Sequence, residues 1–381
     1  MPLPHLTPRE VRARRLARHG LTRPLADASP AGAAAAMHGA HAQVMSAAEV
    51  SVAIRLPGST RQSVREALTD GSLTKTFGPR GTLHLLPTRD LPMWVGALGN
   101  VPHGSSAFPA DVRLTDDQTA EVVAAVGDAL LAGELTADEL DAEVVARTGS
   151  WAGDLVMPAF QGFWPRWRQA IGRCAHAGVL VFGADRGRRV TYTNPRLRDP
   201  AFVPAPPAVA EPWFVAAYLR SYGPATVPDL ARWNAAPLSW ARALLDAAPT
   251  TEVDVGHESA LVNAGDTEPE PHGRSVRLLP YFDALGVGFA PREEMFPGRA
   301  RERALAGAQA GNYPVLLVDG IVQGVWHQRR SGRRIHVTVE TWADLGPTRV
   351  RALDSQVARL GEILEGEPRL TLGEVTVGPH A

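Results

Sequence analysis

The sequence predicts an α+β chain of three tandem winged helix-turn-helix units followed by a small β-barrel. Three observations carry that expectation. Helix-start signals recur in groups, each group is followed by two short strand-like runs around a polar turn, and the texture becomes mostly β after residue 275.

The first unit, residues 1–105, opens with Thr7-Pro8-Arg9-Glu10. This supplies an N-cap, a proline at the first helical position and a glutamate at N3, for a helix running to about Gly20. Ser29-Pro30 opens an alanine-rich helix that ends near Gly39, and Ser46 with Glu49 forms a capping box for the next. Another helix spans about Ser59 to Thr69. Two strand-like runs in "GSLTKTFGPRGTLHLLP", turning at Gly78-Pro79-Arg80-Gly81, complete a wing.

In the second unit, residues 106–200, Thr115 with Gln118 and Thr136 with Glu139 cap two helices. A third helix is expected from roughly Met157 to Ala177, and "VLVFGADRGRRVTYT" reads as strand, turn, strand. Pro-rich "NPRLRDPAFVPAPPAVAEP" (194–212) reads as a stiff linker. The third unit, residues 201–274, is a weaker copy: a helix in "PWFVAAYLRSYG", Thr226 capping "VPDLARW", a helix in "LSWARALLDAA" and a hairpin in "TTEVDVGHESALVN". The last segment, residues 275–381, has an Asp319-Gly320 hairpin turn and alternation at Ile335, Val337 and Val339. A helix at about 354–365 and the strand "RLTLGEVTV" complete the expected barrel.

Composition limits the function. The chain has 381 residues, 45% of them hydrophobic and 21% charged, as in a soluble globular protein of several small domains. No apolar run is long enough for a membrane span and the N-terminus lacks a signal-peptide core, so a cytoplasmic, nucleoid-associated protein is expected. Cys174 is the only cysteine, which excludes an internal disulfide framework and a cysteine-rich zinc site. Net charge is −1, yet basic residues cluster: six arginines against two acids in the first thirty residues, then "WPRWRQAIGR", "RGRR" and "RRSGRR". Taken together, these clusters suit phosphate contacts. Lys75 is the only lysine.

The chemistry-bearing candidates are few. The chain has no phosphate-cradling glycine loop with Lys-Ser/Thr, no His-Glu-x-x-His, no calcium loop and no Gly-x-Ser-x-Gly elbow. His38 and His41 are three apart, but no nearby cysteine or paired carboxylate completes a metal site, so no metal or other cofactor is expected. His41-Ala42-Gln43 lies in a short connector between helices. In an extended segment His41 and Gln43 point one way while Ala42 and Val44 point back into the protein. On spacing alone these two are either polar connector residues or a site.

Several stretches settle the choice by resemblance. "GAHAQ", "FGPRGTLHLLPTRDL", "YLRSYGPATVPDLARW", "RLLPYFDALGVGF" and "PVLLVDGIVQGVW", in this order over nearly the whole chain, resemble the bacterial AlkZ-like winged-helix DNA glycosylases. That family includes enzymes that unhook interstrand crosslinks. The resemblance implies a concave DNA-binding face, alkylated duplex DNA as partner, a monomer and excision of alkylated purines. It also carries the family's catalytic Gln-hydrophobic-Gln motif onto His41-Ala42-Gln43, with His41 departing from the first Gln. The chemistry fits these residues: alkylation at N7 or N3 makes the purine a cationic leaving group, so the protein needs to place a water and stabilise an oxocarbenium-like sugar. A neutral His41 imidazole can accept the water's proton, and the Gln43 carboxamide can orient that water.

Lys75, in the wing, is the only side-chain amine available for a Schiff base, so a monofunctional enzyme is expected. Candidate DNA contacts are Lys75, Arg80 and His84 in the first wing and Arg329, Arg330, Arg333 and Arg334 at a hairpin tip. For Arg80 and His84 the alternative is ordering of the wing. Tyr222, Trp233, Phe282 and Trp326 are expected in the core, and Asp283 as a turn cap. The rival to the enzyme is a non-catalytic winged-helix DNA-binding protein or transcription regulator.

Overall fold

A computed structural model describes residues 3–25, 28–102, 108–159, 162–256, 258–305 and 309–378. α1 (Pro8–Arg18) carries the Thr7–Glu10 capping box. α2 (Pro30–Ala36) starts at Ser29 and ends through two left-handed residues, His38 (φ 50°) and Gly39 (φ 92°), which turn the chain into β1 (Ala40–His41). α3 (Met45–Ala53) begins one residue before the expected Ser46 box could act, with Val44 at its N-cap and no side-chain cap. Glu49 is engaged elsewhere: its buried carboxylate receives Arg65 of α4 (Arg61–Thr69) at 2.6 and 3.2 Å.

β2 (Leu73–Phe77) and β3 (Leu83–Pro87) flank the Pro79–Gly81 turn, and the sheet runs β1-β3-β2. Register fixes its two faces. Ala40, Leu85 and Lys75 share one; His41, His84 and Thr76 share the other. On the first face Ala40 and Leu85 bury against Ala33, Ala34, Val52 and Val64. On the second face Leu86 enters a different core, with Trp94 of α5 (Leu91–Leu98).

The next region holds α6 (Asp116–Ala132), β4 (Leu135–Thr136) and α7 (Ala137–Thr148), both helices with the expected capping boxes. The helix expected over 157–177 forms only at its end. The hairpin β5 (Leu155–Ala159) and β6 (Gly162–Pro165) precedes a 3-10 turn and α8 (Ile171–His176). Pro158 and Pro165 cannot donate within a helix, while Phe163 and Trp164 favour extended backbone. β7 (Val181–Phe182) and β8 (Thr191–Thr193) complete the sheet β4-β8-β7.

The Pro-rich stretch is packed rather than free. After the short α9 (Pro195–Arg198), Phe202 is buried and the Ala205 N–H donates to the Pro92 carbonyl at 2.9 Å, anchoring the segment to α5. α10 (Pro207–Tyr222), α11 (Val227–Asn234) and α12 (Leu238–Ala247) bury Phe214, Tyr218, Tyr222, Trp233 and Trp240 in the core that holds Trp94. The hairpin β9 (Thr250–Asp254) and β10 (Ser259–Asn263) follows. Helices thus alternate with small antiparallel sheets among the described residues, in the orders β1-β3-β2, β5-β6, β4-β8-β7 and β9-β10.

The C-terminal part contains β11 (Val276–Leu279), the short helices α13 (Ala284–Gly288), α14 (Arg292–Met295) and α15 (Arg299–Ala304), then β12 (Val315–Val318), β13 (Ile321–Ser331) and β14 (Arg334–Thr341). α16 (Gly346–Ile363) and β15 (Glu367–Leu372) follow. The small β-barrel expected from sequence is a five-stranded open sheet, in the order β11-β12-β13-β14-β15. Its last pair is parallel, which requires a crossover, and α16 supplies it. Leu353, Val357 and Leu360 of that helix cover Leu278 and Val337 on one face of the sheet.

Arg12, Arg14, Arg15 and Arg18 of α1 are held by partners within the fold. Arg15 is buried and donates to the carbonyls of Tyr222 (2.8 Å), Pro224 (2.7 Å) and Ala290; Arg14 pairs with Asp266 at 2.6 Å. This basic cluster ties the N-terminal helix to distant segments. In the "WPRWRQAIGR" cluster Arg166 pairs with Asp154 and Arg168 with Asp141.

Candidate active site

Ala40 and Ala42 point into the helical core, which places His41 and Gln43 on the opposite side of the connector. Val44 breaks the alternation and is exposed, because at the N-cap of α3 the chain has already left the strand. The approach to His41 is fixed residue by residue. Ser221 Oγ donates to the Ala36 carbonyl at 3.0 Å and Tyr222 Oη donates to the Met37 carbonyl at 2.9 Å. His38 lies between the rings of Trp94 and Trp233, at 4.3 and 5.1 Å. The positive φ of Gly39 favours glycine there, and a Cβ would sit tightly, 3.1 Å from the Leu86 side chain.

His41 is 8% exposed, with its ring stacked on Phe282 (centroids 5.0 Å, planes 30°) and edge-on to His84 (5.2 Å, 72°). Its Nδ1 is buried with no protein partner, which leaves Nε2 as the nitrogen facing solvent. Burial, then the nearby Arg80 guanidinium, pushes the imidazole down to about 4, so it is neutral at physiological pH. Gln43 is exposed, and its carboxamide has no protein partner among the described residues.

Phe282 reaches His41 from the C-terminal part in a left-handed conformation (φ 52°), its N–H donating to the Gly311 carbonyl at 3.0 Å. Asp283 caps α13, accepting from Leu285 N–H at 3.1 Å. The same carboxylate receives Arg55 at 2.8 and 2.9 Å and Ser51 Oγ at 2.7 Å, in a fully buried cluster. Burial alone would raise the Asp283 carboxyl; Arg55 and Ser51 outweigh it and hold the group below its usual range.

A family model described as DNA glycosylase AlkZ-like matches residues 34–363. The chain belongs to this AlkZ-like DNA glycosylase family. The glycosylase is similar to an interstrand DNA cross-link repair glycosylase of Streptomyces sahachiroi, 31% identical over 306 residues, which are 76% of this chain and 79% of that protein. It also superposes on the solved structure of Streptomyces sahachiroi DNA glycosylase AlkZ with a TM-score of 0.80 at 27% identity, covering 97% of this chain and all of that one.

The other sequence-predicted residues of the glycosylase separate into two groups. Arg80, left-handed at φ 61°, is largely buried and donates to the Trp233 carbonyl, joining the wing to α11. His84 is buried and its Nδ1–H meets the Thr82 carbonyl at 2.9 Å, so its position supports the wing-ordering alternative. Lys75 lies 4.7 Å over the Phe182 ring, on the sheet face opposite His41. At the β13–β14 hairpin, Arg330 donates to the carbonyls of Leu364 (2.7 Å) and Glu365 (3.2 Å), and Arg333 pairs with Glu367 at 3.5 Å. Arg329 and Arg334 are exposed there.

Tyr222, Trp233 and Trp326 are core residues, whereas Phe282 is only partly buried and touches the candidate site. Sequence reasoning did not connect Phe282, Arg55 or Ser51 with His41. The only signal was the cap potential of Asp283. Among the described residues no helix is long and apolar enough to cross a membrane.

Proposed function

We propose that this glycosylase hydrolyses the N-glycosidic bond of purines alkylated at N7 or N3 in duplex DNA, bulky adducts and crosslinks included. His41 accepts the water's proton and Gln43 positions that water. The observation that carries the reading is a buried, neutral imidazole presenting Nε2 beside an exposed, unpartnered carboxamide of the same connector. A neutral ring beside the sugar does not repel a cationic base or an oxocarbenium-like sugar, as an imidazolium would.

The Streptomyces sahachiroi relative is an interstrand DNA cross-link repair glycosylase, and crosslinks through N7 or N3 supply the same cationic leaving group. Lys75, the only lysine, lies on the far face of the sheet, which supports a monofunctional enzyme whose product is an abasic site. Such an activity serves base excision repair or self-resistance to a DNA-alkylating natural product. Three tandem winged helices forming a concave face for the duplex are part of this reading, supported by the recurrence of helices and small sheets.

The test is release of N7-methylguanine and unhooking of an N7-linked crosslink from defined duplexes, read by chromatography and denaturing gels. The wild type releases base and leaves alkali-labile sites without direct strand cleavage. His41→Ala combined with Gln43→Ala abolishes release; equal release by the double variant overturns the assignment of the site.

A further inference from the structure

We propose that Phe282 is a positioning residue for His41, held in place by the buried Asp283–Arg55–Ser51 cluster, and that its ring fixes which edge of the imidazole meets the damaged nucleotide. The inference rests on the reading of His41 given above.

The geometry is built from parts far apart in sequence. Phe282 covers one face of the His41 ring at 5.0 Å and His84 meets the ring edge-on, so rotation of the imidazole is opposed on two sides. Phe282 holds this place at a backbone cost: a bulky residue at φ 52° is disfavoured and persists only where its surroundings over-determine it. Two contacts do so. The Gly311 carbonyl takes its N–H, and a Cβ at Gly311 would lie 2.8 Å from Phe282 Cδ1, so the opposite wall is as close as glycine permits. The next residue, Asp283, is pinned by the Ser51 hydroxyl of α3 and by two N–H groups of Arg55, two residues past the end of that helix.

α3 starts four residues after His41. The cluster therefore references Phe282 to the C-terminal end of the helix that follows the imidazole's connector. Its stiffness is transmitted to the ring that the chemistry needs held within a fraction of an ångström.

The experiment combines kinetics with a spectroscopic readout. Single-turnover release of N7-methylguanine is measured for wild type, Phe282→Ala, Phe282→Tyr, His41→Ala and the Phe282→Ala/His41→Ala pair, with duplex affinity and Tm in parallel. Phe282→Ala slows release by about 10- to 100-fold at unchanged duplex affinity, the range expected for a displaced catalytic group. Phe282→Tyr restores it, and the alanine change has no further effect once His41 is gone. In histidine-labelled protein, Phe282→Ala removes the ring-current shift of His41 and moves its titration upward, with His84 and Arg80 the charged or titratable neighbours that remain. An equal loss on the His41→Ala background, or an unmoved His41 resonance, overturns the positioning role while leaving the site reading intact. Undiminished release by His41→Ala overturns both.

Discussion

His41 and His84 are register partners across β1 and β3, with ring centroids 5.2 Å apart and planes at 72°. Protonating both would place two cations side by side in a buried site beside the Arg80 guanidinium, and burial already lowers each ring's affinity for protons. Single-turnover excision is therefore expected to be flat between pH 6 and 8. A step in rate centred near 6.5, the ordinary histidine value, would show that the imidazole is not buried as described.

The same burial makes the fold acid-sensitive. His19 and His38 are pushed down to about 3 and His41 to about 4, each mainly by burial. In the unfolded chain these rings bind protons from about pH 6.5 downward while the folded rings stay neutral, so acid favours unfolding. Each ring then removes roughly 1.4 kcal/mol of stability per pH unit in the window from 6.5 down to its folded value. Tm should fall between pH 7 and pH 5, and His38→Phe should flatten the slope. Ordinary titration of all three rings in the folded protein would contradict this.

Gln43 separates catalysis from stability. Its side chain is exposed and makes no protein hydrogen bond among the described residues, so Gln43→Ala should change stability by no more than about 0.5 kcal/mol. If it positions the water and faces the developing cation, the excision rate falls by roughly 100-fold or more. Thermal melts and single-turnover kinetics on the same samples decide the point.

Arg55 and Asp283 form a fully buried pair, and removing one partner leaves the other uncompensated. Asp283→Ala should cost about 3–5 kcal/mol, whereas replacing both by apolar residues of similar volume should cost much less. Chemical denaturation of the single and double variants measures the difference. A mild effect for Asp283→Ala would mean that the cluster does not stiffen the Phe282 turn.

The hairpin arginines should divide by role. Arg330 is spent on the carbonyls that end α16, so Arg330→Ala should lower Tm. Arg329 and Arg334 are exposed, and each one that meets a phosphate reduces the salt dependence of duplex binding by about one on substitution, without altering the melt. Binding isotherms across a salt series test this; an unchanged slope removes the hairpin from the DNA interface.

What the sequence by itself determined is whatever is decided within a few residues. The capping boxes at Thr7, Thr115, Thr136 and Thr226, the wing turn at Pro79–Gly81 and the Asp319-Gly320 hairpin are local hydrogen-bond and backbone preferences, and each is found where the pattern places it. That His41 and Gln43 lie on one side of the connector was legible for the same reason, as a two-residue period, whereas their proposed role comes from the family resemblance. Tertiary structure decided the rest. The arginine-rich α1, open to reading as a phosphate surface, is turned inward because Arg14 and Arg15 find carbonyls and carboxylates more than two hundred residues away. Arg55 meets Asp283 across a separation of 228 positions, and through it Phe282 comes to lie on His41. No local propensity encodes such pairs: each exists only because burial withdraws polar groups from water and leaves them one another as partners.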